Sequence, residues 1–241
     1  MQRAMQIEVY PTDADALDAA AALAAEHVRA AAGDGRAVVA LGSGRAGRGL
    51  MVALAGRGDL PWSRVEWCLA DERCASAQDP LGHAKIARDS LFVPRGVAAA
   101  KIHAPSIEGD SPEEIAARYA EALRAVAGDA VAFDLVLLAI GADGSLGALA
   151  SDAAALTATT PVAVVAGDPA LVSLTPVTLA RAGRAIVTAV GPQTAGAVAR
   201  ALRDGAGPAA LLRPSDRVTW VVDRDAAGEL LKDARPADAR G

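Results

Sequence analysis

Short runs of apolar residues alternate with longer alanine-rich stretches of helical character along nearly the whole chain. That alternation predicts β-α units wound around a mostly parallel sheet. The predicted strands are 6–10, 37–41, 65–70, 133–140, 162–166, 185–190 and 217–222. Several are apolar at consecutive positions, as in VLLAI at 136–140, the pattern of a strand covered by helices on both faces. Helix starts are legible too. Thr12 is placed to cap a helix running to about residue 32, and Ser111-Pro112-Glu113-Glu114 reads as a capping box with proline at the first helical position. A helical stretch follows residue 44 through Met51 and Leu54, residues 146–150 read as a short helix, and Glu229 falls in a last short helix before a polar tail. The alanine-rich stretches recur with no fixed period, which argues against a repeat array, and no linker divides the chain. The expected architecture is one domain over residues 1–241, a doubly wound α/β fold whose mostly parallel sheet has helices on both faces.

Composition narrows the function classes. The chain has 241 residues, 52% of them apolar, enough for a sizeable core. A net charge of −5 with no block of like charge argues against a nucleic-acid or anionic-membrane binder. Aromatic residues are only 3%, so stacking platforms for bases or sugar rings are scarce. No segment holds the ~18 to 20 uninterrupted apolar residues of a membrane span. The opening MQRAMQIEVY is too short and polar for a signal peptide, so the expected location is the cytoplasm. Cys68 and Cys74 match neither a zinc pair nor a disulfide framework and read as reduced thiols, Cys68 buried. His27, expected on a helix, and His103, expected beyond a short strand, belong to no motif and take ordinary surface or core roles.

Three segments can carry chemistry. Gly42-Ser43-Gly44-Arg45-Ala46-Gly47 follows a predicted strand and opens a helix. As GxGxxG it fits a backbone cradle for phosphate, with an NAD-dependent enzyme as one reading and a tight strand-to-helix turn as the other. Asp71-Glu72-Arg73 follows the strand VEWCLA, at the carboxyl end where open α/β sheets bind ligands; the plainer reading is an ion-paired loop. Gly141-Ala142-Asp143-Gly144-Ser145 follows FDLVLLAI. It places Asp143 at the rim of the same crevice as Asp71, or else is a loop in which Ser145 caps the next helix and Asp143 binds its own backbone.

Taken together and in this order, these segments resemble the 6-phosphogluconolactonase family within the wider glucosamine-6-phosphate isomerase group. The matching stretches are VVALGSG at 38–44, WCLADER at 67–73, DPLGHAKIARDSLF at 79–92, FDLVLLAIGADG at 133–144, LVSLT at 171–175 and VVDRDAAGEL at 221–230. The resemblance implies a doubly wound α/β sheet and hydrolysis of 6-phosphogluconolactone in the pentose phosphate pathway, without metal or nucleotide cofactor. It makes a small sugar phosphate the expected partner.

The departures fall where that chemistry lies. The family pattern has a histidine after the Asp-Gly, where this chain has Ser145. Its Ser-Leu-Phe-Pro stretch is replaced by Ala148-Leu149-Ala150-Ser151, and its Arg, Lys and Asn positions are matched by Leu171, Thr194 and His83. Serine at 145 cannot act as a base near pH 7, and losing two cations removes charge-assisted phosphate contacts of about 1.5 to 3 kcal/mol each. On this reading Asp71, Arg73 and Asp143 organise the site and His83 is the substitute base. Gly42, Ser43, Gly44 and Arg45 contact phosphate, and Gly144 and Ser145 line the substrate. The alternative is a non-catalytic sugar-phosphate-binding or interaction protein on the same fold.

Overall fold

The computed structural model describes residues 6–33, 35–107, 111–151 and 153–233; the polar tail after residue 233 lies outside them. Among the described residues the strands are, in order, β1 (Ile7–Tyr10), β2 (Ala37–Leu41), β3 (Val65–Leu69), β4 (Asp71–Arg73), β5 (Ile102–His103), β6 (Leu135–Ala139), β7 (Val162–Val165), β8 (Leu171–Leu174), β9 (Arg184–Ala189) and β10 (Val218–Asp223). The helices are α1 (Asp13–Ala32), α2 (Gly44–Ala55), α3 (His83–Ala87), α4 (Val93–Arg95), α5 (Pro112–Ala127), α6 (Pro176–Leu179), α7 (Ala195–Ala199) and α8 (Gly228–Asp233). A π-helical turn, Arg88–Phe92, joins α3 to α4.

Seven strands form one parallel sheet in the order β1-β10-β9-β6-β2-β3-β5. β2, β3 and β6 are buried at every position, as their continuous apolar runs require, whereas β1 at the edge is half-exposed. One face is covered by α1, α2 and the Arg88–Phe92 turn, packed on Val39, Leu41, Trp67 and Leu137. The other is covered by α5 and α7, packed on Val38, Ala40, Val136 and Leu138. The fold is therefore the doubly wound α/β sheet that the pattern predicts. The buried face of α1 is almost all alanine, so this helix has little bulk to hold it away from the sheet.

Local signals explain the helix ends. Thr12 caps α1 by accepting from the Asp15 N–H, and Ser111 and Glu114 form the reciprocal capping box of α5. Glu229 lies in α8. The run at 162–166 does not join the parallel sheet. A short Ala-Gly-Asp-Pro-Ala connection turns β7 straight back into β8, which makes the pair antiparallel, and β4 completes a second, three-stranded sheet. Residues 146–150 are turns and isolated bridges, not a helix. His103 lies within β5 rather than beyond it. Both cysteines are free; burial pushes the Cys68 thiol up to about 12, which leaves it un-ionised.

Along the chain the order of strands reverses between β2 and β6, which are neighbours: β2, β3 and β5 run one way from this point and β6, β9 and β10 the other. Such a switch point opens a crevice at the carboxyl ends of the strands. The segments after β2, β3 and β6 emerge there.

Candidate functional site

The turn after β2 is built for close packing. The Gly42 N–H donates to Leu137 O at 2.7 Å, and a Cβ at 42 would lie 2.7 Å from the Leu138 side chain. A Cβ at Gly47 would lie 2.6 Å from Gly42 O. These two glycines of the GxGxxG pattern are required by close packing of the strand-to-helix turn. Ser43 stands at the N-cap of α2, yet its hydroxyl makes no capping bond. It donates instead to Asp71 Oδ2 at 2.6 Å.

Asp71 is the centre of the arrangement, only 1% exposed. Its Oδ1 accepts no hydrogen bond but lies 3.2 Å from His83 Nδ1, which also sits 2.9 Å from the Asp71 carbonyl oxygen. Since Nδ1 faces these two acceptors, it carries a hydrogen in either protonation state, and Nε2 is the nitrogen that gains and loses a proton. Burial disfavours a charged His83. The adjoining Asp71 carboxylate and carbonyl, with Glu72 behind them, outweigh that penalty and hold the imidazole up at about 9.

Glu72, buried beside Asp71, fixes the histidine from the other side. Its Oε1 accepts from the backbone N–H groups of Arg73 and His83, both at 2.8 Å, and its Oε2 accepts from Ala84 N–H at 2.6 Å. The carboxylate thus caps α3 in place of Gly82, which has no side chain to do so. Arg73 reaches Asp79 through Nε at 2.8 Å.

The loop after β6 closes the crevice. Gly147 lies against Asp71, where a Cβ would be 3.7 Å from Oδ2. Ser145 does not cap a helix; its N–H and hydroxyl both donate to Asp143 Oδ1, at 3.0 and 2.7 Å. Against some desolvation, these bonds and nearby Arg200 hold the Asp143 carboxyl below its usual range. Gly144, with φ +88°, lets the turn close and packs against Arg200.

The structure therefore brings Ser43, Asp71 and His83 into direct contact, with Gly147 beside them. Asp143, Gly144 and Ser145 sit on the same loop as Gly147, and Gly42, Gly44 and Arg73 flank the contact in sequence. Arg45 does not join them. Its side chain is 65% exposed and pairs with Asp13 at the start of α1. Leu171 is the cross-strand partner of Arg73, and the Thr194 hydroxyl donates to Gly191 O. The sequence groups Glu72 with Asp71 and Arg73 but gives no sign that it caps α3, and it does not single out Arg200, whose Nη2 donates to Asp143 O at 3.3 Å. Among the described residues no group of three or more His, Cys, Asp or Glu side chains is arranged to hold a metal ion. Among the described residues, no helix is long and apolar enough to cross a membrane.

Comparison with known proteins shows the family and its fold. A family model described as glucosamine-6-phosphate isomerases/6-phosphogluconolactonase matches residues 11–220. The chain belongs to this family. It is 33% identical over 133 residues to the 6-phosphogluconolactonase of Synechocystis sp., a stretch covering 54% of this chain and 55% of that protein. It is also 33% identical over 143 residues to that of Streptomyces coelicolor, with the same shares, 54% and 55%. The matched stretches thus span about half the length of these lactonase-family relatives. The solved 6-phosphogluconolactonase of Trypanosoma brucei superposes with a TM-score of 0.79 at 22% identity, covering 94% of this chain and 99% of that one. The parallel sheet and its crevice are thus the family's fold.

Proposed function

We propose that the crevice binds a six-carbon sugar phosphate and opens the ring of 6-phosphogluconolactone, slowly at neutral pH, with His83 as the base. The observation that carries this reading is the buried His83–Asp71 contact at the carboxyl end of β3, in a chain whose family position after Asp143-Gly144 is serine. In the proposed step, neutral His83 Nε2 takes a proton from water as the water oxygen attacks the lactone carbonyl. The tetrahedral oxyanion collapses, the ring C–O bond breaks, and the imidazolium returns the proton to the leaving oxygen. The first amides of α2, which have no side-chain cap because Ser43 is turned to Asp71, are suited to the oxyanion. With His83 held at about 9, only about one molecule in a hundred has the neutral base at pH 7. The reaction belongs to the pentose phosphate pathway and to the cytoplasm on this reading.

A second reading, sugar-phosphate binding without turnover, is favoured by the Ser145 hydroxyl, which serves only the Asp143 turn. Hydrolysis of fresh 6-phosphogluconolactone, followed by NMR near pH 8 against the spontaneous background, separates the two. The expected result is a protein-dependent rate that falls by about a hundredfold in His83→Gln. A full rate in that variant excludes His83 but keeps the lactonase. Binding of 6-phosphogluconate with no excess rate supports the second reading.

A further inference from the structure

A 6-phosphosugar lactone carries its reactive carbonyl and its phosphate at opposite ends of the carbon chain, so a site for it needs two poles. Ser43, Asp71 and His83 form one. The other requires a cation, and the residues nearest the crevice in sequence do not supply a free one: Arg45 pairs with Asp13 away from the contact, Arg73 is engaged with Asp79, and Leu171 and Thr194 are uncharged.

Resting on the lactone reading above, we propose that Arg200 holds the phosphate. It begins the turn that follows α7 and bonds to the loop whose other end, Gly147, is near Asp71, where a Cβ would stand 3.7 Å from Oδ2. The loop at 141–147 therefore spans both poles. Arg200 is exposed, and among the described residues no carboxylate lies within ion-pair distance of it. The Asp143 carboxylate, the nearest in the loop, is turned to Ser145, and only the Asp143 carbonyl takes a guanidinium hydrogen. The remaining N–H groups form an open fork of the kind that takes phosphate in a bidentate grip. Gly144 leaves this space clear, since a Cβ there would stand 3.0 Å from Arg200 Nη2 and the guanidinium would have to shift. Two features of unrelated sequence position thus converge, a residue without a side chain and a guanidinium laid over it.

The test is calorimetric titration of the wild type, Arg200→Ala and Arg200→Lys with 6-phosphogluconate and with gluconate, the same chain lacking phosphate. Arg48→Ala, on the exposed flank of α2, is the charge control, and circular dichroism checks the fold of each variant. The wild type should prefer 6-phosphogluconate by about tenfold or more, and Arg200→Ala should lose most of that preference while gluconate binding changes by less than about twofold. Arg200→Lys, with charge but no fork, should fall between, and Arg48→Ala should match the wild type. A wild-type preference that persists in Arg200→Ala overturns the assignment of Arg200 and leaves the lactone reading standing. Equal weakening of both ligands also overturns it, since Arg200 would then act through the 141–147 loop. Failure of the wild type to bind either ligand at millimolar concentration overturns this proposal and the lactone reading together.

Discussion

Replacing Asp71 by asparagine is expected to destabilise the protein by about 3 to 5 kcal/mol at neutral pH, the usual cost of breaking a buried charge pair by removing one partner. The substitution leaves His83 buried but without its counter-charge, and it weakens the bond from Ser43. Desolvation is then opposed only by the backbone carbonyl of residue 71 and by Glu72, and the titration should fall well below about 9, toward the ordinary imidazole value of about 6.5. The sign of the pH dependence follows. A folded-state value above the unfolded one stabilises the protein fully below about pH 6.5 and loses that contribution as pH rises through about 9. The amount at stake is about 3 kcal/mol. Urea denaturation across this window, compared between wild type and Asp71→Asn, isolates the contribution, and the His83 ring proton resonance reports the titration directly. An Asp71→Asn protein whose His83 still titrates near 9 would show that the carboxylate is not what holds the imidazole charged.

Glu72→Ala is expected to be nearly as damaging, about 3 to 5 kcal/mol, because it orphans three backbone donors at once at about 1 to 3 kcal/mol each, less what water recovers. Two of these donors, at His83 and Ala84, open α3 and the third belongs to Arg73 in β4, so most of the loss falls on the first turn of α3. His83 is the first residue of that helix, and fraying there draws the imidazole off Asp71. Hydrogen exchange at the His83 and Ala84 amides should accelerate, and any protein-dependent lactone opening should fall with it. Glu72→Gln keeps one acceptor oxygen and should recover part of both. Unchanged exchange at these amides in Glu72→Ala would mean that α3 is held by its other contacts.

Much of this molecule is legible in the chain because the forces involved are local. Thr12 and the Ser111–Glu114 box mark helix starts through bonds made within three residues, and VLLAI advertises a strand buried on both faces. β4, β5 and β8 are not legible. They are too short for a period to show, and β4 is charged throughout, so its pairing with β8 is decided by tertiary contact. The run at 146–150 reads as helical because it is apolar and follows a capping residue, but Ser145 is engaged by Asp143 behind it and Gly147 adopts a left-handed φ of +59°. In the site, position after a strand end was enough to single out Asp71, and the aligned stretches singled out His83. What could not be read was direction. Arg45 turns away to a residue 32 positions back, and Arg200 reaches the 141–147 loop at one 57 positions back; neither has a sequence signature.

The central claim is that the His83 imidazole, held against Asp71, is the base that opens the lactone. Its most direct test is the protein-dependent rate of 6-phosphogluconolactone hydrolysis from about pH 6 to about pH 10, after subtraction of the spontaneous reaction. Only the neutral imidazole acts, so the rate should rise about tenfold per pH unit up to an inflection near 9 and level off above it. His83→Gln should abolish the inflection. A wild-type rate that is level across this range, or an inflection that survives in His83→Gln, would contradict the account.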